Sequence, residues 1–122
     1  MNFKQLLKII IESDEHIRFA AIFDRYGMIK EKIQGDEVLP MLDEYETQNM
    51  LREAASLWHH RKKLVNKLGK GHYSMTVYDT LVRITIPLST DDFIIISHDN
   101  LQDQPSLAKQ IIQILDTNKI DL

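Results

Sequence analysis

Through the middle of the chain, Leu51, Ala54, Ala55, Trp58, Val65 and Leu68 recur at helical spacing. Asp43 followed by Glu46 has the form of a capping box, and Gly69 supplies a stop. One helix over residues 43–68 is therefore predicted, about 40 Å long at 1.5 Å per residue. An element of that length with one apolar stripe must lie on a broad apolar surface, and the flanking segments have to provide it.

Those segments read as strands. Residues 17–23 are strand-like, Tyr26 and Gly27 supply a turn, and residues 28–33 alternate apolar with charged side chains, which makes a β-hairpin whose second strand is an exposed edge. After the helix come 73–78, 81–88 and 93–98, joined by short polar turns and hence an antiparallel meander. Phe93, Ile94, Ile95 and Ile96 are apolar on both faces and belong at the centre, whereas Ser74 and Thr76 suit 73–78 to an edge. Asn2 is a candidate N-cap for a helix over residues 3–12, with Phe3, Leu6, Leu7 and Ile10 on one face. Leu107, Ile111, Ile114 and Leu115 mark a last helix starting near Pro105. Residues 34–42, with Gly35 and Pro40, and residues 100–104 are read as connections. The fold class is α/β (α+β) with the order α-β-β-α-β-β-β-α. No repeat, linker or low-complexity tract divides residues 1–122, so they are read as one domain. Each helix has a stripe to bury, which predicts the long helix on one face of the sheet and the terminal helices on the other.

With 122 residues, 43% of them hydrophobic, the chain can bury a core without disulfides or metals. It has no cysteine, which excludes thiolate chemistry and suits a reducing cytoplasm. The N-terminal apolar segment is interrupted by Lys4, Gln5 and Lys8, so neither export nor a membrane span is expected. A net charge of −3 argues against a surface built for nucleic-acid phosphates.

No motif points to catalysis. Gly69-Lys70-Gly71-His72 lacks the spacing of a phosphate-binding loop and reads as a helix stop. His59 and His60 are consecutive on a helix and diverge by about 100°, too far to chelate one ion. His72 and His98 belong to strand ends that another strand should separate. Asp91 and Asp92 sit where a polar turn is required, and no serine has an activating setting. No enzyme activity, cofactor or metal is expected.

Charge order along the helix is more informative. Residues 36–53 carry six acids and one arginine, while residues 54–78 carry Arg61, Lys62, Lys63, Lys67 and Lys70 and no acid. Complementarity to the helix dipole accounts for such a pattern, and so does antiparallel pairing of two copies, acidic end against basic end. A phosphate-binding patch is a weaker reading, because these side chains spread around the helix with few aromatics among them. Trp58 is either core or an interface anchor, and Tyr73, Met75 and Val77 alternate on an edge strand with neither proline nor charge to block pairing.

This order of elements, a hairpin, a long middle helix and a three-strand meander, resembles the roadblock/dynein light chain family of the profilin-like group. The segments IRFAAIFDRYG, RKKLVNKLGKGHYSM, VRITIPL and IIISHD also resemble uncharacterised small proteins of ammonia-oxidising archaea. The roadblock resemblance implies a five-stranded sheet in spatial order 2-1-5-4-3, homodimers formed through the middle helix and third strand, and service as a scaffold or regulator of small GTPases. The reading that follows is a non-enzymatic, cytoplasmic, homodimeric adaptor with Leu51, Ala55, Trp58, Lys62, Lys63, Tyr73, Met75 and Val77 at its interface. A small-ligand sensory domain and a nucleic-acid binder using the basic helix end are the alternatives.

Overall fold

The computed structural model describes residues 2–34, 42–99 and 104–118. The connections expected around Gly35 and Pro40 and over 100–103 lie outside them. Five strands form one antiparallel sheet: β1 (Ile17–Asp24), β2 (Ile29–Gln34), β3 (Ser74–Val77), β4 (Val82–Pro87) and β5 (Asp92–His98). Their spatial order is β2-β1-β5-β4-β3, as the resemblance implied. At its centre β1 and β5 pair from Ile17 opposite His98 to Asp24 opposite Asp92, and β5 is buried along its whole length.

Because β1 and β5 are apolar on both sides, the sheet needs cover on both faces. On one, Ala20, Ile22, Ile84, Ile94 and Ile96 pack against α1 (Phe3–Ser13) and α4 (Gln104–Thr117) through Leu6, Leu7, Ile10, Leu107 and Ile111. On the other, Ala21, Phe23, Phe93 and Ile95 meet Leu51, Ala55 and Trp58 of α2 (Glu44–Lys62). The middle helix and the terminal helices thus take opposite faces, as their stripes required. α1 and α2 both open with a capping box, Asn2 with Gln5 and Asp43 with Glu46, each side chain bonding the other's backbone N–H.

The predicted middle helix is shorter than its stripe suggested. α2 ends at Lys62, and a separate turn, α3 (Val65–Leu68), follows. At 19 residues α2 is about 28 Å long. The amides of Lys63 and Leu64 bond to the carbonyls of His60 and Arg61, a tightened last turn, and Leu64 leaves the helical region at φ −99°, ψ 1°. Between Trp58 and Val65 the stripe is taken over by Arg61 and Lys62, so the apolar face that holds the helix on the sheet is interrupted there.

The β1–β2 turn is built on Asp24, whose carboxylate accepts from the amides of Tyr26 and Met28 at 2.9 and 3.0 Å. Gly27 adopts φ 81°, and a Cβ there would lie 2.8 Å from the Arg52 backbone. Gly69 has φ 82°, but a Cβ there would meet no atom within 4 Å. Left-handed strain at either site costs about 1–2 kcal/mol, and only Gly27 adds a collision with α2. Gly27→Ala is expected to lower the urea midpoint clearly more than Gly69→Ala.

Candidate interaction surface

On its face of the sheet, α2 touches the turns at one end. α2 runs from the β1–β2 turn, where Gln48 Nε2 donates to the Gly27 carbonyl at 2.7 Å, to the β4–β5 turn, where Lys62 Nζ donates to the Thr90 carbonyl. Both turns lie at the same end of the sheet, since Asp24 pairs with Asp92. Towards the other end the register aligns Thr76, Arg83, Ser97 and Phe19 in a row across β3, β4, β5 and β1. The Arg83 guanidinium lies 5.3 Å from the Tyr78 ring centre, and its Nε is buried without a hydrogen-bond partner among the described residues.

The residues singled out from sequence separate into two sets here. Leu51, Ala55 and Trp58 are buried against their own sheet. Trp58 stacks on Phe93 with ring centres 6.2 Å apart and donates from Nε1 to Thr85 Oγ1 at 3.1 Å. Lys62 and Lys63 are exposed at the end of α2, with Lys62 Nζ 5.7 Å from the Phe93 ring centre. Met75 is half-buried opposite Ile84, whereas Val77 and Tyr73 are exposed, Tyr73 lying just before β3.

The two sheet edges differ. β2 carries Lys30, Glu31 and Lys32, and Lys30 Nζ reaches Asp92 at 2.6 Å. β3, Ser-Met-Thr-Val, carries no charge and no proline, so nothing on it opposes pairing with another strand.

A polar network at the far end of β1 and β5 escaped the sequence reading. His98, buried, donates from Nε2 to the Asp14 carboxylate at 2.8 Å, His16 Nδ1 lies 3.0 Å from Asp99, and Arg18 pairs with Asp99. The His16 and His98 rings are 5.7 Å apart. A register shift between Ile17 and Phe19 keeps Ile17 in the core and turns Arg18 out to Asp99. The available signal was the adjacency of strands 1 and 5, which brings Asp14, His16 and Arg18 beside His98 and Asp99. Among the described residues no three His, Asp or Glu side chains are placed to hold a metal. No described helix is long and apolar enough to cross a membrane.

The fold is that seen in Roadblock/LC7 domains and in profilin. A Roadblock/LC7 domain from Streptomyces avermitilis superposes with a TM-score of 0.70 at 12% identity, over 96% of this chain and 94% of that one. The gliding protein MglB from Thermus thermophilus gives 0.69 at 10% identity, over 94% and 89%. Profilin from Schizosaccharomyces pombe gives 0.60 at 14% identity, over 93% of each chain. No protein-family model and no curated protein sequence matches the chain.

Burial alone would raise the Asp14 and Asp99 carboxyls, but hydrogen bonds from His98 and the His16 amide to Asp14, and from Arg18 and His16 to Asp99, hold both below the usual carboxylate range. A depressed folded-state value contributes stability that is present above the unfolded value, about 3.9, and is lost as pH falls through the folded one. Melting temperature should therefore drop as pH falls from about 5 to 2. In Asp14→Asn with Asp99→Asn the slope of that drop should be shallower, as read by circular dichroism.

Proposed function

We propose that this chain is a non-enzymatic homodimeric adaptor that scaffolds or regulates another protein, a small GTPase being the expected class. The observation that carries the reading is the unguarded β3 edge on a Roadblock/LC7 fold whose opposite edge is charged. Pairing of two β3 strands about a two-fold axis would extend the sheet to ten strands and bring the two copies' α2 helices onto the same side of it. An MglB structure is described as having a tetrameric arrangement, so a chain of this fold does self-associate. Within this reading Leu51, Ala55 and Trp58 set the position of α2, while Lys62, Lys63, Tyr73, Met75 and Val77 meet the partner copy.

Acidic and basic helix ends would meet across the axis. Glu46 is held in its own capping box, so Glu44 is the acid free to answer Lys63. Analytical ultracentrifugation at tens of micromolar should show a dimer, and a monomer there would reject it. Val77→Lys should abolish the dimer by charging the β3 edge. Lys63→Glu should weaken it by a few fold, since an exposed pair contributes about 0.2–1 kcal/mol and occurs twice, and Glu44→Lys should partly restore it. Raising salt from about 0.05 to 0.5 M should weaken the dimer modestly. Affinity capture from native lysate tests the partner, with a GTPase bound in one nucleotide state as the expected result.

A further inference from the structure

β3 stops short of its neighbour. Its first pair is Ser74 with Thr85, so Ile86 and Pro87 of β4 have a strand on the β5 side only. Pro87 has no N–H to leave unpaired on such an open margin. The chain from α3 to β3 borders this gap through Lys70, Gly71, His72 and Tyr73 without pairing with β4 there. Gly69 turns it at φ 82°, and Gly71 lies so close to Trp58 that a Cβ would sit 2.8 Å from the ring.

Where the strand is missing, a cleft of about 990 Å³ opens between the two helical layers. Its walls come from both cores: Trp58 and Phe93 from the α2 side, Leu6, Ile112 and Leu115 from the α1 and α4 side, with Ile86 between them. Its mouth carries Arg61, Lys62, Lys70 and His72, and Asp116 beside Asn118 is the one acid on its lining among the described residues. Arg61 and Lys62 lie over the rings of Trp58 and Phe93, at 4.9 and 5.7 Å, and cover them on the cleft side, which leaves their cationic heads beside the exposed apolar lining. Lys70 is fully on the surface and has no acidic neighbour within ion-pair distance among the described residues.

An apolar cleft of this size, flanked on one side by cations, complements a molecule with an apolar chain and an anionic head. We propose that the cleft binds a single-chain amphipathic anion, an acyl carboxylate or alkyl phosphate, with the chain against Val65, Leu88, Ile112 and Leu115, which are not buried, and the head at Lys62 and Lys70. The cleft shares Lys62 and Tyr73 with the proposed partner surface, while the rest of its wall reaches α1 and α4 on the face away from α2.

Trp58 is the only tryptophan in the chain and lines the cleft, so its emission reports occupancy directly. Decanoate and decyl phosphate, titrated below their micelle concentrations, should each give a saturable 1:1 change. Affinity should rise by about fourfold per methylene from hexanoate to decanoate, the value of burying one CH₂. Decanol should bind about tenfold more weakly than decanoate, and inorganic phosphate should leave the emission unchanged. Lys70→Glu, at a fully exposed position, should weaken decanoate about tenfold with an unchanged melting temperature. No saturable response, equal binding of decanol and decanoate, a flat chain-length series, or full affinity in Lys70→Glu would each overturn the site. Flotation with phosphatidate vesicles without a response to monomeric decyl phosphate would overturn it in favour of a membrane surface. Sedimentation of the same samples reports the oligomer separately, so loss of the dimer and loss of the site are distinguishable.

Discussion

The pairing of β1 with β5 is the constraint on which the other contacts rest. It joins a local hairpin to a local meander across some seventy residues of chain, with Ala20 opposite Ile96 and Ala21 opposite Ile95. Closing so long a connection costs conformational entropy, which a pair buried on both faces can offset and a half-exposed one cannot. Burial on both faces in turn requires two covers. Leu6, Leu7 and Ile10 of α1 reach one side and Leu51, Ala55 and Trp58 of α2 the other, so each helix holds its place because the central pair demands it.

The same pairing generates the features at the margins. At one end it gathers Asp14, His16, Arg18, His98 and Asp99 into one network, and at the other it sets the two turns that α2 spans. With the centre fixed, the edges are free to differ: β2 is charged, while β3 is uncharged and short. A short third strand has two consequences at once, an unguarded pairing edge over Ser74–Val77 and a gap beside Ile86 and Pro87.

Much of this architecture was legible in the chain because the signals were local. Alternation in 28–33, the unbroken apolar run from Phe93 to Ile96, the Asn2 N-cap and the Asp43–Glu46 capping box each specify an element with few neighbours involved. The break at Lys63 and Leu64 was not legible: neither residue is a helix stop, and the helix ends where Arg61 and Lys62 interrupt its apolar stripe. The strand order came from the family resemblance and not from periodicity. His98 was weighed only against His72, because its meeting with Asp14 depends on a register that includes a bulge at Arg18. The cleft depends on where β3 stops along β4, a matter of one pair of residues that no pattern in 73–78 records.

The charge order of the middle segment divides by cause. The dipole account reaches only the first and last turns of a helix. Within α2 it covers Glu44 and Glu46 at one end and Arg61 and Lys62 at the other, and these are also used locally: Glu46 in the capping box, Arg61 over Trp58, Lys62 at the Thr90 carbonyl. Lys67 and Lys70 lie beyond Lys63, past the end of α2, one in a helical turn of four residues and one after it. No macrodipole of consequence acts on them there, and their surroundings are apolar: Leu64, Val65, Leu68 and Tyr73 are all exposed on the same stretch. Cations interleaved with exposed apolar side chains contribute little to the stability of an isolated chain. They are the composition expected of a surface that meets something carrying both an apolar body and a negative charge.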